Sequence, residues 1–195
     1  MSGLELDSVT LLAADWGGPI ALSYAIRHPQ RIASLVITNT WMWPVRDDLR
    51  YQAFSRLMGG PVGRILIKRL NFFVTVLTRR MFRAELSPSA YRHYVEPLRR
   101  PQDRKGCWVF PREIIGSSDW LAELRDRRAT LAAKPALILW GMRDLAFGRR
   151  ELETWRALFT EVEVHEFARA GHFVAEDQGE ALCPLIAGHL QRVSG

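Results

Sequence analysis

The stretch "LLAADWGGPIALSYA", residues 11–25, decides the fold. The hydrophobic run that opens at Val9 has no polar alternation, as expected of a strand buried on both faces in a parallel sheet. It stops at Asp15-Trp16, a Gly-Gly pair follows, and a helical pattern from Gly17 to His28 is closed by Pro29. Residues 32–38 (IASLVIT) then predict a second buried strand, which completes a βαβ unit. So sharp an exit from a buried strand needs small neighbours, here Ala13, Ala14, Gly17 and Gly18. The turn lifts the side chain at its apex to the mouth of a site and aims helix N-terminal amides at charge developing there. A carboxylate in that place reads in two ways: as a nucleophile able to form an ester with carbon, or as a helix N-cap.

From Trp41 to about Arg128 strand-like runs disappear. Apolar residues recur at helical spacing over 50–58, 63–81, 88–98 and 117–125, with breakers at Gly59-Gly60-Pro61, Pro88 and Pro101. The α/β alternation resumes with a strand at 135–141 (PALILWG), a helix at 149–159, a strand at 161–167 (EVEVHEF) and a terminal helix at 175–193. The reading is an α/β fold with flanking helices on parallel strands, interrupted by a helical insert. Its segments are 1–40 and 131–195 for the core and 41–130 for the insert.

Composition narrows the class further. The 195 residues are 48% hydrophobic and 25% charged, enough apolar mass for a real core. The most apolar stretch, 62–78, is broken by Arg64, Lys68, Arg69 and Asn71 and is too polar to cross a bilayer. Cys107 and Cys183 stand far apart without metal-like spacing, which predicts two reduced thiols and a cytoplasmic protein. The net charge of +6 comes from runs such as "LTRRMFRAE" and "PLRRPQDRKG", which acids, prolines and apolar residues interrupt. That pattern predicts a solvated surface, with no nucleic-acid or membrane partner expected; contact with nucleic acid or a membrane surface is the competing reading.

Ligand sites in such sheets lie at the carboxyl ends of strands. Besides Asp15, two places qualify. In "WGMRDLAFG" (140–148) Asp144 follows the strand at 135–140, where a buried carboxylate could orient a histidine; an ordinary surface-loop aspartate is the competing reading. In "ARAGHFVAED" (168–177) His172 follows a strand and a glycine, just before the last helix. Nucleophile, acid and base thus occur in the chain order Asp15, Asp144, His172, each at a strand's C-terminal end. His28, His93, His165 and His189 read as surface or packing residues.

"DWGGPIALSYAIRHPQRI", "WGMRD" and "AGHFVAED" resemble the haloalkane dehalogenases of the α/β-hydrolase fold, and "WVFPREI" at 108–114 resembles that family's helical cap. The resemblance implies a hydrolase that cleaves carbon–halogen bonds, with Asp15 as nucleophile, His172 as base and Asp144 as its acidic partner. It implies that Trp16 binds the leaving halide and that Trp108 and Phe110 wall the substrate pocket, with simple packing as their alternative. Some family members carry the acid after the preceding sheet strand, at about Asn39 here, which cannot serve as an acid. The implied partners are a small halogenated hydrocarbon, water and halide ion, with no metal and no organic cofactor. The family also has strands, helices and a His-Gly oxyanion loop ahead of the nucleophile strand, so the chain corresponds to the C-terminal part of the fold and reads as truncated, with activity impaired and the edge at 9–14 open to self-association. The alternatives are an epoxide hydrolase using Tyr91 and Tyr94 as acids, and a non-catalytic remnant.

Overall fold

A computed structural model describes residues 6–194. Four parallel strands, β1 (Val9–Ala14), β2 (Ile32–Thr38), β3 (Ala136–Gly141) and β4 (Val162–Phe167), form one sheet in the order β1-β2-β3-β4. The registers Ala14↔Thr38, Thr38↔Leu139 and Gly141↔Phe167 bring the C-terminal strand ends level, so the loops that follow emerge along one edge. β2 and β3 are the inner strands, and apart from Ala33 every residue in them is buried, which explains their unbroken apolar runs.

Helix α1 (Gly17–Arg27) buries Leu22, Ala25 and Ile26. On the other limb, Val36, Leu137 and Leu139 close a core with Ala170, Val174 and Leu182, the last two from α9 (Val174–Ser194). Helix α8 (Arg149–Arg156) buries Leu152 and Trp155, and the Trp155 indole donates to the Thr40 carbonyl at 2.8 Å.

The chain divides into two compact units, one running to Met42 and resuming at Glu123, the other Trp43–Ala122. The second boundary lies eight residues before the 130 expected from sequence. Residues 123–130 join the core because the chain there leads into a short turn, Arg128–Leu131, that packs on α1. The helical unit holds α2 (Leu49–Gly59), α3 (Pro61–Leu70), a π-type turn Phe73–Thr78 leading into α4 (Arg79–Met81), α5 (Pro88–Val95), α6 (Lys105–Gly116) and the start of α7 (Ser118–Asp126).

Two details of this unit depart from the sequence reading. The helix expected over 63–81 is broken at Asn71, which takes a left-handed conformation (φ 53°) and ends α3. And α6 was hidden by Gly106, Pro111 and Gly116; Pro111 is buried inside it. Arg104, itself buried, donates to the carbonyls of Leu98, Lys68 and Arg99 and so ties the end of α3 to the chain at 98–99.

Candidate active site

The exit of β1 is held by backbone and one hydroxyl. The Asp15 amide donates to the Asn39 carbonyl (3.1 Å), Gly18 N–H donates to the Asp15 carbonyl (2.9 Å), and Thr40 Oγ1 donates to the same oxygen at 2.6 Å. This net holds Asp15 at φ 43°, in the left-handed region that a non-glycine residue adopts only when its surroundings enforce it. The two glycines have different duties. A Cβ on Gly18 would fall 1.8 Å from Thr40 Oγ1, whereas one on Gly17 would meet nothing within 4 Å. Trp16 occupies the N-cap position of α1, so Asp15 stands one residue before the cap rather than serving as it.

The other two loops are tied to each other through the main chain. Met142 N–H donates to the Phe167 carbonyl and Arg143 N–H to that of Ala170. A Cβ on Gly141 would lie 2.0 Å from the Gly171 carbonyl oxygen, so glycine at 141 is what lets the β3 exit touch the loop bearing His172. The structure thereby brings Asp15, Asp144 and His172 together. His172 Nδ1 lies 2.9 Å from Asp144 Oδ2, and its Nε2 lies 3.9 Å from Asp15 Oδ1. The first distance is a hydrogen bond; the second is beyond one but within direct charge–charge reach. The Asp144 side chain is wholly buried and His172 is 6% exposed, while the Asp15 side chain is 52% exposed, which is the asymmetry expected of a held base and an attacking group.

Asn39 is the residue whose part the sequence did not show. It is buried, and its Nδ2 donates to both Asp144 Oδ2 (2.8 Å) and the Gly141 carbonyl (3.0 Å), while its Oδ1 accepts from Gly141 N–H (2.8 Å). Asp144 Oδ1 accepts from Ala146 N–H at 2.7 Å. Both oxygens of a buried carboxylate are therefore satisfied, with Oδ2 shared between an amide and an imidazole.

The surrounding charges set the titration of the pair. Although the Asp15 side chain is half-exposed, partial loss of water among the crowded strand-end loops raises its carboxyl above its ordinary value; the His172 charge and the Trp16 amide pull the other way, and the Asp144 charge adds to the rise. Burial pulls the His172 imidazole down, but the hydrogen bond and charge of Asp144, joined by the charge of Asp15, raise it above the ordinary range. Aromatic rings line this neighbourhood. Trp16 meets Trp41 edge to face at 4.8 Å, Trp41 stacks on Phe147 at 5.2 Å, and Phe147 lies 5.7 Å from the His172 ring.

In the helical unit, the guanidiniums of Arg64 (4.6 Å) and Arg112 (5.7 Å) lie over the Trp108 ring, and Phe110 is exposed. Tyr91 donates its hydroxyl to the Val74 carbonyl and Tyr94 packs edge-on against Phe82. No cluster of three or more metal-ligating side chains occurs among the described residues.

Residues 1–178 match the family model described as alpha/beta hydrolase fold. The chain belongs to that family. Among curated relatives, this α/β-hydrolase is similar to haloalkane dehalogenase 2 of Mycobacterium tuberculosis, with 35% identity over 185 residues covering 94% of this chain and 64% of the relative. It is also similar to the cis-3-alkyl-4-alkyloxetan-2-one decarboxylase of Xanthomonas campestris, with 30% identity over 191 residues covering 94% of this chain and 63% of the relative. The chain thus spans a little under two thirds of the length of these proteins. Two crystal structures of haloalkane dehalogenases share its fold: one from Agrobacterium tumefaciens (TM-score 0.85, 24% identity, covering 98% of this chain and 69% of that one) and one from Bradyrhizobium elkani (TM-score 0.88, 22% identity, covering 99% and 70%).

Proposed function

We propose that this α/β-hydrolase acts as a haloalkane dehalogenase-type hydrolase, cleaving a carbon–halogen bond by way of an ester on Asp15. The observation that carries the reading is His172, hydrogen-bonded to buried Asp144 on one side and facing the exposed Asp15 carboxylate on the other. Asp15 attacks the halogen-bearing carbon in line; the new C–O bond forms as the C–X electron pair departs with halide. Water then attacks the ester carbonyl carbon while His172 Nε2 takes its proton, and collapse of the adduct returns that proton to the departing alcohol. Asp144 fixes the imidazole tautomer and balances its charge. The Trp16 indole N–H is the donor we assign to the halide. We assign residues 43–122 the part of the family's helical cap, with Trp108 and Phe110 as its candidate substrate-contacting side chains.

The test is halide release from 1-bromobutane together with mass spectrometry of Asp15 peptides from a His172→Ala variant. Bromide release by the wild type and a trapped butyl ester at Asp15 are expected. A folded protein that neither releases halide nor acquires the adduct would be the non-catalytic remnant.

A second reading has an observation behind it: the decarboxylase relative is 30% identical over nearly the whole chain. A cis-3,4-dialkyl-oxetan-2-one belongs in the same assay, and its conversion without halide release would transfer the assignment. The epoxide hydrolase reading is weaker, because Tyr91 already spends its hydroxyl on a backbone carbonyl. The free thiols Cys107 and Cys183 suit a cytoplasmic setting.

A further inference from the structure

The helical unit carries charge of one sign. Residues 43–122 contain 15 Lys and Arg against seven Asp and Glu, while the remainder of the chain contains 12 against 14. The imbalance is sharpest over residues 49–84, which hold eight basic residues and no acidic one. Most of that stretch is the α2–α3 hairpin and the segment after it.

The packing of the hairpin fixes which side chains face outward. α2 buries Tyr51, Ser55 and Met58, and α3 buries Gly63 and Ile67. A Cβ on Gly63 would lie 2.3 Å from the Leu57 carbonyl, so the two helices cross in direct backbone contact. α6 packs against both, closely enough that a Cβ on Gly59 would strike Arg112 Cα at 2.6 Å. Arg104 clamps the C-terminal end of α3 through the Lys68 carbonyl. On α3, Val62, Ile65 and Arg69 follow at i, i+3 and i+7 on the side away from Gly63 and Ile67, with Lys68 beside them. Val62 is 60% exposed, Ile65 62% and Leu70 66%; Leu57 and Arg56 of α2 are exposed as well.

We propose that this outer face of α2 and α3 seats on an anionic lipid surface. Branched aliphatics enter the boundary between headgroups and acyl chains, and Arg56, Lys68 and Arg69 reach the lipid phosphates around them. Charge complementarity selects this partner. An acidic protein or nucleic acid would meet the cations alone, whereas here exposed branched aliphatics stand among cations of one sign, the pairing that a lipid surface with anionic headgroups over an apolar interior matches. A fluid, uniformly negative surface with an apolar interior asks for no register. No helix among the described residues is long and apolar enough to cross a membrane, so the contact is peripheral.

The experiment is co-sedimentation of the full chain with vesicles of phosphatidylcholine and phosphatidylglycerol at 7:3, against phosphatidylcholine alone, with circular dichroism to verify folding of each variant. Preference for the anionic vesicles by at least tenfold is expected. A Val62→Ser, Ile65→Ser pair and a Lys68→Gln, Arg69→Gln pair should each reduce binding at least tenfold. The inference is overturned by absence of binding or by equal binding to neutral vesicles. It is also overturned if the serine pair binds like the wild type, since adhesion by charge alone would suit an acidic protein or nucleic acid equally. Concentration-dependent dimers that form without vesicles and vanish in the serine pair would assign the face to a second copy instead.

Discussion

Replacing Asn39 by Asp changes one nitrogen to oxygen and tests the network that holds Asp144. In the wild type, Asn39 Nδ2 donates at 2.8 Å to Asp144 Oδ2 and at 3.0 Å to the Gly141 carbonyl. The substitution turns both contacts into oxygen against oxygen in a buried setting. A hydrogen bond to a charged group contributes about 1.5–3 kcal/mol and a neutral one about 1 kcal/mol, so the loss at neutral pH is about 2.5–4 kcal/mol. For a chain of this size that lowers Tm by roughly 5–16 °C. Acid relieves the damage. Beside Asp144 and away from water the new carboxyl has its pKa raised in the fold, so the native state holds a proton that the unfolded state releases. Native stability is then highest below the ordinary Asp range and falls as pH rises through the elevated value. Thermal unfolding followed by circular dichroism at pH 5 and pH 7.5 reads this directly, each variant compared with wild type at the same pH. A Tm deficit that is the same at both pH values, or smaller than about 2 °C at pH 7.5, would refute the network as described.

Asp15→Asn should raise Tm by roughly 1–2 °C while abolishing ester formation, because Asn tolerates the left-handed conformation better and no desolvated charge remains. The gain should widen with pH, since the raised carboxyl of Asp15 makes the wild type lose stability as that group ionises. Gly18→Ala should cost about 1–3 kcal/mol by thermal melting, whereas Gly17→Ala should stabilise by up to about 1 kcal/mol, one residue apart in the same helix. The His172 imidazole of the free protein should titrate above its ordinary value of about 6.5, and the Asp15→Asn variant, which removes a facing charge, should titrate lower than the wild type; histidine NMR reads both, and a wild-type titration below the ordinary value contradicts the raised imidazole.

Much of the core was legible because its signals are local. IASLVIT and ALILWG are buried on both faces and read as such, and the strand ends pointed to Asp15, Asp144 and His172; VTLLAA, expected to be buried likewise, instead leaves Leu12 and Ala14 exposed, because β1 has a strand on one side only among the described residues. What stayed hidden depends on residues distant in sequence. Asn39 looks like an acid that is missing until Gly141 and Asp144 arrive beside it from more than 100 residues away. Gly17 and Gly18 are indistinguishable as letters, and only Thr40 tells them apart. α6 contains a proline and two glycines that argue against a helix, and it forms because α2 and α3 pack along it.

The grip of Asn39 on Gly141 runs through main-chain N–H and C=O, with no side chain of β3 involved. The alignment of the strand ends therefore rests on residue 39 keeping an amide and residue 141 keeping no side chain, whatever side chains β3 presents to the core. A saturation library of these two positions should accept almost nothing but Asn and Gly.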